Sequence, residues 1–128
     1  MTQEQEELLL KDLCARLPYG VILNCCEIVS EPLTLISYKG LVNNDYDIDE
    51  VKPFLFPLSS MTEEQKNDCP IGETTLNIIK SNIGCYGIIE IPWRLSYMFI
   101  EWCNKNHFDY RGLIPMGLAE DATGLNIY

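Results

Sequence analysis

Ile91-Pro-Trp-Arg-Leu-Ser-Tyr-Met-Phe-Ile-Glu-Trp-Cys-Asn-Lys-Asn-His-Phe-Asp-Tyr-Arg-Gly112 decides the architecture. Pro92 suits the first turn of a helix, where its missing N–H leaves no bond unmade, and Gly112 with Pro115 closes any helical run downstream. A helix from about Pro92 to Asn106 follows. At about 100° per residue, Arg94, Glu101 and Lys105 fall in one narrow stripe, and Trp93, Leu95, Met98, Phe99, Ile100, Trp102 and Cys103 spread over most of the remaining circumference. So wide an apolar arc predicts a helix covered on several sides, the core helix of the fold. Burial of both tryptophans and Phe99 would contribute about 2–3 kcal/mol each.

Upstream, Thr2-Gln-Glu-Gln5 has the form of a capping box, and Glu4, Glu6 and Glu7 place negative charge at the positive end of a helix macrodipole. Leu9, Leu10, Leu13, Cys14 and Leu17 recur at helical spacing until Pro18-Tyr-Gly20, so a first amphipathic helix is predicted over residues 3–17. Val21 to Val29 and Leu33 to Tyr38 are apolar and β-branched runs joined by Ser30-Glu-Pro32, which reads as an antiparallel hairpin. Gly40 to Glu50 comes next as a polar loop carrying Asp45, Asp47, Asp49 and Glu50. Aspartates at alternate positions have the look of a calcium loop, but Glu50 stands where the turn glycine belongs and Phe56 where the bidentate glutamate belongs. A solvated acidic loop is the reading, and no metal is expected.

Val51 to Phe56 supplies a third strand, which Pro53 and Pro57 should confine to a sheet edge or cut short. Ser60 and Glu63 stand in capping-box spacing before a short helix over Thr62 to Asp68, which Cys69-Pro-Ile-Gly72 ends. Residues 73–90 favour a hairpin turning at Ser81-Asn-Ile-Gly84, with a short helix over 73–81 as the alternative. From Arg111 to Tyr128, glycine and proline interleave with apolar residues, predicting an ordered, irregular path over the surface. The sum is one α+β domain spanning residues 1–128: a small, mainly antiparallel sheet packed by an N-terminal helix and a Trp-rich C-terminal helix.

The chain of 128 residues is 47% hydrophobic and 22% charged, ordinary for a globular domain. Its 19 acidic and 9 basic residues give a net charge of −10, which disfavours direct nucleic-acid binding and anionic membrane surfaces, because both draw affinity from clustered Lys and Arg. A basic protein surface is the partner such a charge suits. The six cysteines, Cys14, Cys25, Cys26, Cys69, Cys85 and Cys103, form no C-x-x-C pair, and no basic, then apolar leader precedes them. Reduced thiols and a cytoplasmic location are expected.

Three stretches carry a resemblance: Lys11-Asp-Leu-Cys-Ala-Arg-Leu-Pro-Tyr-Gly-Val21, Lys52-Pro-Phe-Leu-Phe-Pro-Leu-Ser-Ser-Met-Thr-Glu-Glu-Gln-Lys66 and His107-Phe-Asp-Tyr-Arg-Gly-Leu-Ile-Pro-Met-Gly-Leu-Ala119. In this order they resemble a family of small proteins of gut Bacteroidales and of the phages and mobile elements of those bacteria. The resemblance implies a bacterial host cytoplasm and a place among accessory genes, where acting on host defences is a common role. It brings no activity, cofactor or ligand with it.

His107 is the sole histidine, with Cys103 four residues before it. A Cys–His nucleophile pair is conceivable on that spacing, but no nucleophile elbow or phosphate-cradling glycine loop accompanies it, and no second Cys/His pair completes a zinc site. Arg111 offers a planar fork for phosphate or carboxylate, and Tyr110 or Phe108 could stack on a base. Against this, Arg111 could simply pair with Asp109 or cap the helix end.

The leading expectation is a non-enzymatic binding protein that sequesters a nucleotide-like host signal. Arg111, Tyr110, Phe108 and His107 would line its site, the ligand lying at an interface between copies of the chain. The alternative is an inhibitor of a host defence protein that presents Asp45, Asp47, Asp49 and Glu50 to a basic surface. A second alternative is a small enzyme using Cys103 and His107. No cofactor is expected.

Overall fold

The computed structural model describes residues 1–25, 29–81 and 93–128, and its first element begins where the capping signal places it. The Thr2 hydroxyl accepts from the Gln5 N–H at 3.1 Å, and the Gln5 carboxamide oxygen accepts from the Thr2 N–H at 2.9 Å. This reciprocal pair starts α1 (Gln3–Arg16), which ends at a tight turn over Leu17–Tyr19 and a left-handed Gly20 (φ 72°). Leu9 and Leu13 are fully buried one turn apart, but so are Asp12 and Arg16. The inward face is therefore rotated from the apolar stripe of the sequence, and Cys14 lies exposed.

A hairpin comes next, with a different second strand. β1 (Ile22–Cys25) pairs antiparallel with β2 (Val29–Pro32), not with Leu33–Tyr38. Leu35–Val42 is a helix, α2, because Thr34 and Ser37 cap it: the Thr34 hydroxyl accepts from Ser37 N–H at 3.2 Å, and Ser37 Oγ accepts from Thr34 N–H at 2.9 Å. A satisfied N-terminus outweighs the β-leaning side chains.

β3 (Val51–Pro57) runs down the centre of the sheet, correcting the expectation of an edge. It pairs antiparallel with β1, Leu23 lying opposite Pro53. On its other side it pairs in parallel with β4 (Phe108–Asp109) and β5 (Glu120–Asp121). Pro53 is tolerated because Leu23 and Pro53 form a pair that exchanges no ladder bond, so the missing N–H points away from β1. On the far side, pairing with β5 begins only at Phe54. The sheet is mixed, its antiparallel part being β2-β1-β3.

Of the remaining helices, α3 (Glu63–Asp68) is capped by Thr62 with Gln65 rather than by Ser60 with Glu63, while Ser60 donates to the Pro57 carbonyl at 2.7 Å. Residues 73–81 form α4 (Glu73–Ser81), which corrects the hairpin expectation for that segment; the rest of it, 82–90, lies outside the described residues. α5 (Trp93–Lys105) is the expected Trp-rich helix. Within its 97–105 portion it buries one stripe, Phe99 and Cys103, with Trp102 half-buried, whereas Tyr97, Met98 and Ile100 are exposed. The apolar arc is thus wider than the surface the helix covers, and this portion is not enclosed on several sides.

β3 divides two apolar clusters. Val51 and Leu55 join Leu9, Leu13, Leu23 and Leu41 on the α1–α2 side, and Phe56 leans on the cluster of Leu76, Phe99, Cys103 and Phe108 on the α5 side. The segment after Arg111 runs only in part over the surface. Leu113, Leu118, Ala119 and Ala122 are buried, and the Asp109 carboxylate turns the chain inward by accepting from the Leu113 and Ile114 N–H groups, both at 2.9 Å. Among the described residues no helix is long and apolar enough to cross a membrane.

Tyr128 closes the sheet. Where β1 and β3 part, its hydroxyl accepts from Ile22 N–H at 2.8 Å and donates to the Phe54 carbonyl at 2.7 Å, standing in for the ladder bond that those two residues would otherwise make. Tyr128→Phe keeps the ring and strands both backbone groups. It should lower stability by about 1–2 kcal/mol, read as a shifted urea midpoint at constant slope.

Candidate functional site

α5 hands the chain to β4 through His107, which adopts φ 65°, and its carbonyl accepts from the Phe56 N–H at 2.8 Å. The imidazole stacks on Tyr128, centroids 3.6 Å apart and planes within 10°. Its Nδ1 is buried without a hydrogen-bond partner. Burial, and secondarily the Arg16 charge, lower its pKa to about 4, so the ring is neutral at neutral pH. Cys103 is fully buried, and burial pushes its thiol far up despite the opposing Arg16 charge. A protonated thiol inside an aromatic cluster and a weakly basic imidazole lack the activated pair that nucleophilic catalysis uses.

Phe108, Tyr110 and Arg111 are drawn into a buried ionic network. Asp12 accepts from Arg16 Nε at 2.8 Å on one oxygen and from Arg111 Nε at 3.1 Å on the other. Arg16 also donates to the Phe108 carbonyl at 2.7 Å. The Tyr110 ring lies beside both guanidinium groups, 5.2 Å from Arg16 Cζ and 5.0 Å from Arg111 Cζ, and its hydroxyl accepts from Arg111 at 3.2 Å. Phe108 is 1% exposed and stacks on Trp102 at 5.3 Å. The structure thus brings Arg111, Tyr110 and Phe108 together, but their binding groups face one another. Arg111 pairs with Asp12, neither with Asp109 nor with the end of α5.

Burial raises the pKa of Asp109, the two backbone N–H groups partly offsetting it, and burial likewise raises that of Tyr110. Both shifts mark a low-dielectric interior, where a charge needs a partner.

The acidic residues frame a different feature. α2 ends in a Schellman motif: Asn44 is left-handed (φ 60°), Asp45 N–H donates to the Gly40 carbonyl at 2.8 Å and Asn44 N–H to that of Leu41 at 3.3 Å. The chain reverses, Asp47 Oδ1 accepts from the Asp49 N–H at 3.0 Å, and Asp45, Asp47 and Glu50 are set around a cleft of about 380 Å³. Leu23, Leu41, Val51 and Pro32 give it apolar walls; Glu31 from β2 adds a fourth carboxylate, and Tyr46 stands at its side. Asp49 does not line it and sits 3.8 Å from the Met1 amino group. Cys25 lines the cleft as a free thiol that burial, then Glu31, keeps protonated. Among the described residues no group of three or more His, Cys, Asp or Glu side chains is disposed to hold a metal ion.

Sequence reasoning singled out the carboxylates of the loop but not Glu31, Gly40 or Tyr46. The signal available was the Asn43-Asn44 pair after an apolar run, which marks a helix end and folds the next residues back against it. Comparison with protein-family models, with curated proteins and with solved structures returned no match.

Asp12→Asn leaves the buried Arg16 and the half-covered Arg111 without their shared countercharge. A loss of about 3–5 kcal/mol in urea unfolding is expected. For His107, the folded pKa lies below the ordinary 6.5 of the unfolded chain, so on acidification the unfolded state takes up its proton first. Stability should fall between about pH 6.5 and pH 4, and His107→Asn, which suits the positive φ, should flatten the profile over that window.

Proposed function

We propose that this chain is a non-enzymatic binding protein that docks a basic segment of a partner protein at the cleft between the β1–β2 hairpin, α2 and the acidic loop. In the phage or mobile-element setting that the resemblance implies, the partner is a host protein and the outcome its inhibition. The observation that carries this reading is the cleft itself, with apolar walls and Glu31, Asp45, Asp47 and Glu50 around it. Such a lining accommodates a side chain with an aliphatic stem and a cationic head. Exposed apolar residues add to this surface: Ile36, outside the cleft, is 79% exposed, and Tyr46, at its side, 54%. Ile36 stands one helical turn before Gly40, the residue Tyr46 covers, so the two belong to one face. An aromatic anchor amid apolar contacts with a charged rim is the anatomy of a protein interface rather than of a small-molecule pocket.

The net charge of −10 favours the same partner class by steering a basic surface toward this one. A nucleotide-like ligand fits less well. Its phosphates would be repelled at this cleft, and Arg111 would have to leave Asp12 to serve them elsewhere.

The probe is a synthetic amphipathic helical peptide of leucine and lysine. It should bind the protein, and affinity should fall as salt rises, because the pairs at the rim are screened. Asp45→Asn, Asp47→Asn and Glu50→Gln combined should weaken binding about tenfold at low salt, each exposed pair contributing up to about 1 kcal/mol. Binding unchanged in the triple variant would remove the acidic cleft as the site.

A further inference from the structure

We propose that the cleft holds one lysine side chain of the partner as its anchor, and that Gly40 makes this site by giving Tyr46 a seat on α2; the inference rests on the docking function above. Gly40 is buried in the third-last position of α2, where the residue with the highest helix propensity would be alanine. A Cβ built there would run into Cδ2 and Cε2 of Tyr46. The absent methyl therefore has a use: it lets the ring edge lie on the helix backbone. Two backbone bonds fix the ring at that height, since the Gly40 carbonyl accepts from both Asp45 N–H at 2.8 Å and Tyr46 N–H at 3.2 Å. Gly40 thus sets the position of Tyr46 and of the Asp45 backbone together.

Held there, Tyr46 is half exposed and forms an aromatic side to a cleft that Leu23, Leu41 and Val51 also line. An alkyl chain fits between such surfaces, and its terminal cation meets the aromatic ring and the carboxylates of Asp45, Asp47 and Glu31. Glu31 on β2 and Asp45 and Asp47 on the loop line the cleft from separate positions, which suits the three divergent donors of an ammonium better than the flat fork of a guanidinium.

Gly40→Ala changes no charge and should favour the helix, while Tyr46, being half exposed, can swing outward to clear the methyl. Tyr46→Ala removes the aromatic side, and Tyr46→Phe keeps it. Against the leucine–lysine peptide, Gly40→Ala and Tyr46→Ala should each weaken binding about fivefold to tenfold, Tyr46→Phe by no more than about twofold. Replacing the peptide's lysines with norleucine should abolish binding, and replacing them with arginine should weaken it. Thermal melts accompany each variant. If Gly40→Ala fails to fold, the Tyr46→Ala and Tyr46→Phe pair still decides the role of the ring.

If wild-type protein binds the peptide but both Tyr46→Ala and folded Gly40→Ala bind as wild type, the anchor is overturned while the docking function stands. Equal binding of the norleucine or arginine peptide would overturn the choice of lysine. No binding by wild-type protein even at low salt would overturn the docking function, and this inference with it.

Discussion

One carboxylate, that of Asp12, lies between two guanidinium groups, and the two ends of the chain meet through it. α1 supplies Asp12 and Arg16; the segment after α5 supplies Arg111, the Phe108 carbonyl and the Tyr110 ring. Buried charges cost several kcal/mol each unless their partners are well placed, so the network tolerates one arrangement of these elements and penalises others. It therefore determines where β4 lies beside β3, and so where the α5 cluster and the α1 cluster adjoin. Arg16 is fully buried, and one of its nitrogens, Nη1, has no partner in the protein. The site contributes less through net energy than through exclusivity of packing.

That division of labour explains the placement of the two acidic populations. Asp12 and Asp109 face inward, where each organises backbone or cation donors. Asp45, Asp47 and Asp49 stay outside, on a loop whose course is determined by the Schellman end of α2 and the Gly40–Tyr46 contact. Inner carboxylates hold the fold, and the outer ones lie exposed to solvent. The residues that sequence logic nominates for phosphate recognition belong to the first population's network, which is why their polar groups are engaged within the chain.

Local signals proved readable and remote pairings did not. Thr2 with Gln5, Pro18 with Gly20 and the helical spacing of Leu9 and Leu13 mark α1 without reference to anything outside it, and the α+β class follows from such marks. The strand-like composition of Leu33–Tyr38 hid the start of a helix whose cap, Thr34 with Ser37, uses a serine in place of the usual glutamate or glutamine. Pro53 reads as an edge residue because sequence does not disclose which side of a strand its missing N–H faces. For Arg111 the sequence offers a ligand fork or a local pair with Asp109, because its actual partner, Asp12, lies 99 residues away. Of the candidate surface, the loop carboxylates were visible as a run, whereas Glu31 and Tyr46 join them only once the hairpin and α2 have folded.

The parallel partners of β3 and the hydroxyl of Tyr128 also bear on how the sheet comes together in time. β3 is synthesised early, yet its second side is covered only by Phe108–Asp109 and Glu120–Asp121, and the gap at Ile22 is bridged from 106 residues downstream. Contacts of such separation form slowly, because a long loop must be closed before any of them is gained. A ribosome releasing this chain vectorially exposes β3 with one edge unpaired until the last of these segments emerges. The hairpin and α1 need none of these segments, and the open edge of β3 in that interval is where mispairing between nascent copies would begin.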